Sequence, residues 1–164
     1  MKYILFCLCF LPFAALAQEC SLKKGKDAIT SKPTLSTGFI ELQGNTLSID
    51  INSKEIDFFF VLTSPAVKCL DEETTVTLVF EGGKLKSEFK NYGSMNCDGI
   101  FHIIFRNSAF TPSQLQKMAA KKIVSIQFTT ATNPKPFIIS LVPEQQQMLQ
   151  NTISCVVKEA KTVL

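Results

Sequence analysis

The chain has 164 residues, 46% hydrophobic and 19% charged, with a formal net charge of +3. That is one domain's length, with enough apolar sequence to build a core without outside support. The basic excess is carried by lysine, with Arg106 the sole arginine, which argues against a dedicated nucleic-acid or phosphate binder, since these rely on arginine forks.

Residues 1–17, MKYILFCLCFLPFAALA, have the parts of a secretory signal peptide. Lys2 gives a positive start, an apolar run follows, and Ala15-Leu16-Ala17 offers the small-x-small cleavage pattern. The run is shorter than the roughly 20 apolar residues of a membrane span, so no transmembrane segment is expected in the mature chain from Gln18. Cys20 follows Glu19 rather than a small residue, so lipid attachment is not expected either. Residues 18–36 are polar and read as an irregular N-terminal lead-in. Within it, SLKKGKDAITSK reads as a solvated leader, with a polyanion-binding arm as the sharper alternative.

Residues 37–164 read as one disulfide-linked, β-rich domain. FIELQ is a short strand, and TLSIDIN alternates as a half-buried one. In EIDFFFVLT, Ile56, Phe58, Phe60 and Leu62 share one face. Phe59 and Val61 make the other face partly apolar, a pattern compatible with cover on both sides. SPAVKCLDEE is a loop. TTVTLVF and KLKSEFK form a hairpin about EGG, with Phe80 opposite Lys84. A strand over 99–106 follows the polar link NYGSMN. TPSQLQKMAAKK predicts a helix near 111–121, with Thr111 as N-cap and Pro112 at the first helical position. IVSIQFT and FIISLV are strands about the stiff turn NPKP. Pro143 opens a C-terminal helix near 143–158, where Leu149, Ile153 and Val156 lie on one face. The fold class is α+β and mainly antiparallel, with six to seven strands in a sheet or sandwich.

Cys7 and Cys9 leave with the signal peptide; Cys20, Cys69, Cys97 and Cys155 remain. Four cysteines in an exported chain imply two disulfides, for which three connectivities exist. Cys69 and Cys97 lie at nearly mirror positions beyond the open end of the hairpin, which favours Cys69–Cys97. Cys20–Cys155 then follows by elimination. With no CxxC pair and a single histidine, no zinc site is expected, and no other cofactor is implied.

NCDGIFHIIFRN gathers a cysteine, an aspartate and the only histidine. On an extended strand Cys97 and His102 point to opposite faces. Asp98 and His102 are four residues apart, roughly 13 Å at the strand rise. A disulfide-bonded cysteine is also no nucleophile. The stretch therefore reads as a strand and not a catalytic cluster. Asp71-Glu72-Glu73 lacks the alternating oxygen ligands of a calcium loop, and FEGGK lacks the spacing of a phosphate loop. No catalytic residues are assigned.

The block CLDEETTVTLVFEGGKLKSEFKNYGSMNCDG, followed by LQKMAAKKIVSIQF and PFIISLVPEQQQMLQNTISCVV behind a leader ending in ALAQ, resembles small, uncharacterised secreted proteins of Bacteroidetes-type bacteria. The resemblance covers about residues 56–157. It implies export and one domain closed by a glutamine-containing helix and a late cysteine. It brings no catalytic residues. The expected function is an exported, non-enzymatic binding or structural module of the bacterial envelope, periplasmic or secreted, whose partner is a protein or envelope component. A carrier of a small apolar ligand, using space between sheet and C-terminal helix, is one alternative. An envelope hydrolase or redox enzyme is another. Phe59 and Phe110 are the candidate contact residues, beside uncovered strand edges.

Overall fold

Alternation of apolar and polar residues marks the longer strands of this chain, and the computed structural model places its strands in two antiparallel sheets. It describes residues 20–160 except 68, 107 and 132. The expected signal peptide lies outside the described residues. The first sheet runs in the order β1 (Lys23–Lys26), β2 (Pro33–Ser36), β4 (Asn45–Ile51), β5 (Glu55–Val61) and β8 (Ile100–Arg106), with β3 (Ile40–Leu42) also on β4. The second runs β10 (Asn133–Ser140), β9 (Ile123–Thr130), β6 (Thr75–Phe80) and β7 (Lys86–Lys90). Helices α1 (Thr111–Ala120) and α2 (Pro143–Ala160) complete the α+β fold.

The buried residues of β5, Ile56, Phe58 and Phe60, lie beside Phe101, Ile103 and Phe105 of β8. Across the sandwich Phe60 meets Phe128 edge-on at 5.5 Å between ring centres, and Phe101 meets the same ring at 5.2 Å. These edge-to-face contacts join the sheets. Leu115 and Met118 of α1, and Leu149, Ile153 and Val156 of α2, are buried in the same core. The enclosed space among Phe58, Phe60, Leu78, Met118 and Ile153 is about 10 Å³, too small for a ligand and at the limit for one water.

Several expectations are corrected. Among the described residues ten strands form against the six to seven expected, two of them in the lead-in, which is not irregular. Residues 23–26 and 33–36 pair as a hairpin. The turn between them is organised by Asp27, whose Oδ1 accepts the N–H groups of Ile29 and Thr30 and the Thr30 hydroxyl. Hydrogen bonding from Thr30, chiefly its backbone N–H, holds the Asp27 carboxyl below its usual range. The strand bearing Phe59 is not covered on both sides. β5 alternates between buried and half-buried positions, and both helices of the described residues pack into the core on its other face. The β6–β7 register is one residue longer than expected: Val79 pairs with Lys86, and Phe80 donates its N–H to Leu85. Gly82 and Gly83 both have positive φ, 79° and 71°, so the loop holds four residues rather than three. Helix α1 begins one residue early: Phe110 takes the N-cap place without a side-chain cap bond. Thr111 instead donates its hydroxyl back to the Arg106 carbonyl. Helix α2 continues two residues past the predicted end, to Ala160.

The structure contains the bonds Cys69–Cys97 and Cys20–Cys155. Two disulfides fit an oxidising, exported environment. Among the described residues no helix is long and apolar enough to cross a membrane.

Candidate functional site

β8 is the last strand of its sheet, and its pairing with β5 decides which backbone groups are left over. Leu62 donates its N–H to the Gly99 carbonyl. The ladder then continues Phe60↔Phe101, Phe58↔Ile103 and Ile56↔Phe105. Antiparallel geometry turns the N–H and C=O groups of the alternate residues, Ile100, His102, Ile104 and Arg106, toward the free edge. Gly99 is required at the start: its φ is +72°, and a Cβ there would sit 2.2 Å from the Leu62 carbonyl oxygen.

Most of this free edge is covered by neighbours standing in for a strand. The Asn96 side chain accepts from Ile100 N–H at 3.0 Å and donates to its carbonyl at 2.9 Å. Asn91 Oδ1 accepts from His102 N–H at 3.0 Å, and Tyr92 N–H donates to the His102 carbonyl at 3.0 Å. At the far end Thr111 covers the Arg106 carbonyl. Among the described residues nothing pairs with the N–H and C=O of Ile104 or the N–H of Arg106.

Ile104 opens into a groove of about 700 Å³ between the edges of β7 and β8. Phe89 and Phe105 form its floor, in edge-to-face contact at 5.4 Å. Tyr92 and Phe110 stand on its rim, 57% and 76% exposed. The Arg106 guanidinium lies 5.5 Å from the centre of the Tyr92 ring, a cation–π contact, and its Nε is 3.7 Å from Glu55. Glu72 and Glu88 also line the groove.

The expected candidates fall in different places. Phe110 lies on the groove. Phe59 lies on the outer face of the first sheet, half-buried, with its ring 5.1 Å from that of His102. The two are not brought together. Cys69 and Cys97 are exposed but bonded to each other, and Cys20 and Cys155 are likewise bonded, so none of the four offers a thiol. His102 pairs with Asp57, not with Asp98: its Nδ1 is 2.8 Å from Asp57 Oδ2. Burial raises the Asp57 carboxyl above its ordinary range, and this outweighs the bond and charge from His102 that lower it. Its other oxygen, Oδ1, is buried without a partner. On this face the Ser48 hydroxyl donates to Asp50 at 3.0 Å. Ser48 faces Phe59, which faces His102, so it stands two strand spacings from the ring, roughly 10 Å. Ser48 therefore lies out of hydrogen-bond reach of the Asp57–His102 pair.

Sequence reasoning placed β8 and its faces but missed the partners Asp57, Asn91 and Asn96 and the open rung at Ile104. The signal that could have found two of them is the polar link NYGSMN: a short linker with two asparagines beside an expected edge strand can supply backbone substitutes. Among the described residues no group of three His, Cys, Asp or Glu side chains is placed to hold a metal ion. Comparison with protein-family models, curated proteins and solved structures finds no match.

Proposed function

We propose that this protein is an exported, non-enzymatic binding module of the bacterial envelope, and that the groove between β7 and β8 is its contact surface. The observation that carries this reading is the rim: two exposed aromatic rings and the only arginine gather over an aromatic floor. Tyr, Phe and Arg at the mouth of a pocket are the residue types that anchor partners. Elsewhere the groups that might do chemistry serve the fold. The cysteines are bonded, and His102 is held by Asp57.

The test is site-specific photocrosslinking in the exporting cell. A benzoylphenylalanine at position 110 is compared with one at position 39. Phe39 is as exposed, at 77%, but lies by the hollow on the outer face of the first sheet. A discrete adduct from position 110 and none from position 39 is the expected result. Adducts from neither, or equally from both, would remove the groove as the contact surface.

A further inference from the structure

Resting on that reading of the groove, we infer that its occupant is an extended polypeptide segment that adds to β8 as a short strand, pairing its backbone with Ile104 and the Arg106 N–H. The chemistry of the open rung selects this class. Ile104 presents one donor and one acceptor in the plane of the sheet, and Arg106 presents a further donor two residues on. That alternation matches a strand's own backbone at its own spacing. A helix has its backbone groups bonded internally, and an acyl chain has no polar groups to give. Strand addition satisfies all three.

The outermost strands β1, β7 and β10 are guarded against such pairing. β1 carries Lys23, Lys24 and Lys26, all exposed. β7 exposes Lys86, Glu88 and Lys90. β10 carries Lys135 and Pro136, the latter without an N–H, and its side of the fold packs on the 3-10 turn Pro65–Val67. Lysine, proline and covering loops are the devices that keep sheet edges from pairing. On β8 the cover of Asn96, Asn91 and Tyr92 ends at His102, and Thr111 resumes it at the Arg106 carbonyl. The window between them is about three residues, roughly 10 Å of extended chain. The segment that fits is short, alternates apolar and polar residues, and turns an apolar side chain onto Phe89, Phe105 and Phe110.

The probe is a random short-peptide library displayed on phage, selected on the oxidised protein and counter-selected on its Phe110→Ser variant. Selected peptides are then made synthetically, free and with each residue N-methylated in turn. Amide exchange is followed by NMR on the labelled protein. Binding is expected to slow exchange at the Ile104 and Arg106 amides by about tenfold or more. One N-methyl position is expected to weaken binding by about tenfold, the loss of one backbone hydrogen bond. Peptides that need Phe110 but tolerate N-methylation throughout, and leave Ile104 exchange unchanged, would overturn strand pairing while sparing the groove. A library with no Phe110-dependent binder would also overturn it, and the crosslink at position 110 judges the groove separately.

Discussion

Replacing Asn91 by alanine tests whether side-chain amides really close the β8 edge. Asn91 is 5% exposed. Its Oδ1 accepts from the His102 and Gly93 N–H groups, both at 3.0 Å. Its Nδ2 donates to the Asp71 carbonyl at 3.0 Å and, more weakly, to that of Gly93 at 3.4 Å. Alanine leaves the His102 and Gly93 N–H groups without partners, whereas the Asp71 carbonyl keeps the Thr74 N–H at 3.2 Å. A buried group so stranded costs about 1–3 kcal/mol. His102 and Gly93 are both half-buried and can recruit water, so each falls toward the low end. The expected loss is about 2 kcal/mol, a large share of an ordinary domain's stability of about 5–15 kcal/mol. Urea unfolding should show a lower midpoint at unchanged slope, and the His102 amide should exchange faster than in the parent. A loss below about 1 kcal/mol with His102 still protected would refute the reasoning, because water or another group would then be closing the edge. Asn96→Ala is the internal control: it caps Ile100 from a half-exposed position and should cost about 1 kcal/mol.

The disulfides should rank by the length of chain they close. Cys69–Cys97 spans 28 residues and Cys20–Cys155 spans 135. Loop entropy alone assigns them about 3.6 and about 5 kcal/mol. Paired Cys→Ser variants compared by urea midpoint should keep that order, and a reversal would show that local geometry outweighs loop length. Asp57→Asn should change how stability depends on pH. Burial raises the folded-state Asp57 carboxyl above 3.8, so the folded chain holds that proton more tightly than the unfolded one. The associated stability is present at low pH and lost as pH rises through the raised value. Thermal melts in the window above pH 3.8 should therefore shift in the variant's favour as pH increases. A difference that stays constant across the window would exclude Asp57 as the titrating group.

What the sequence makes legible is what period-two alternation can encode. In β5 and β8 the predicted inner residues Ile56, Phe58, Phe60, Phe101, Ile103 and Phe105 are the buried ones. α2 buries Leu149, Ile153 and Val156, the stripe read from helical spacing. β1 escaped notice because all four of its residues are exposed. An edge strand with no buried side leaves no hydrophobic period, and its only local mark is the Asp27 turn. The groove escaped for a different reason. Its defining feature is a backbone donor and acceptor with no partner, and every residue in the chain except proline carries that pair. Only the pairing of β5 with β8 and the reach of three asparagine and tyrosine groups single out Ile104. Phe110 could be picked as an exposed aromatic, but nothing local to it says that Tyr92 and Arg106 will stand on the same rim.

The limits of the open rung are set by a clasp assembled from two loops. Leu70 and Asn96 exchange backbone hydrogen bonds in both directions, at 2.8 and 2.9 Å, directly beside the Cys69–Cys97 bond. Asp71 Oδ1 accepts from the Thr74 N–H and hydroxyl, which holds the first loop in shape, and the Asp71 carbonyl accepts from Asn91. Leu70 and Val67 are the clasp's buried apolar residues, 0% and 2% exposed. Two buried side chains are a small anchor for loops that would otherwise open to solvent, so a covalent tie between exposed Cys69 and Cys97 has an evident use. The clasp places Asn96 on Ile100, then Asn91 and Tyr92 on His102, and reaches no further. The tie therefore acts beyond general stability. By holding the cover over the first two outward rungs of β8, it confines strand pairing to the third, where the aromatic floor of Phe89 and Phe105 lies beneath.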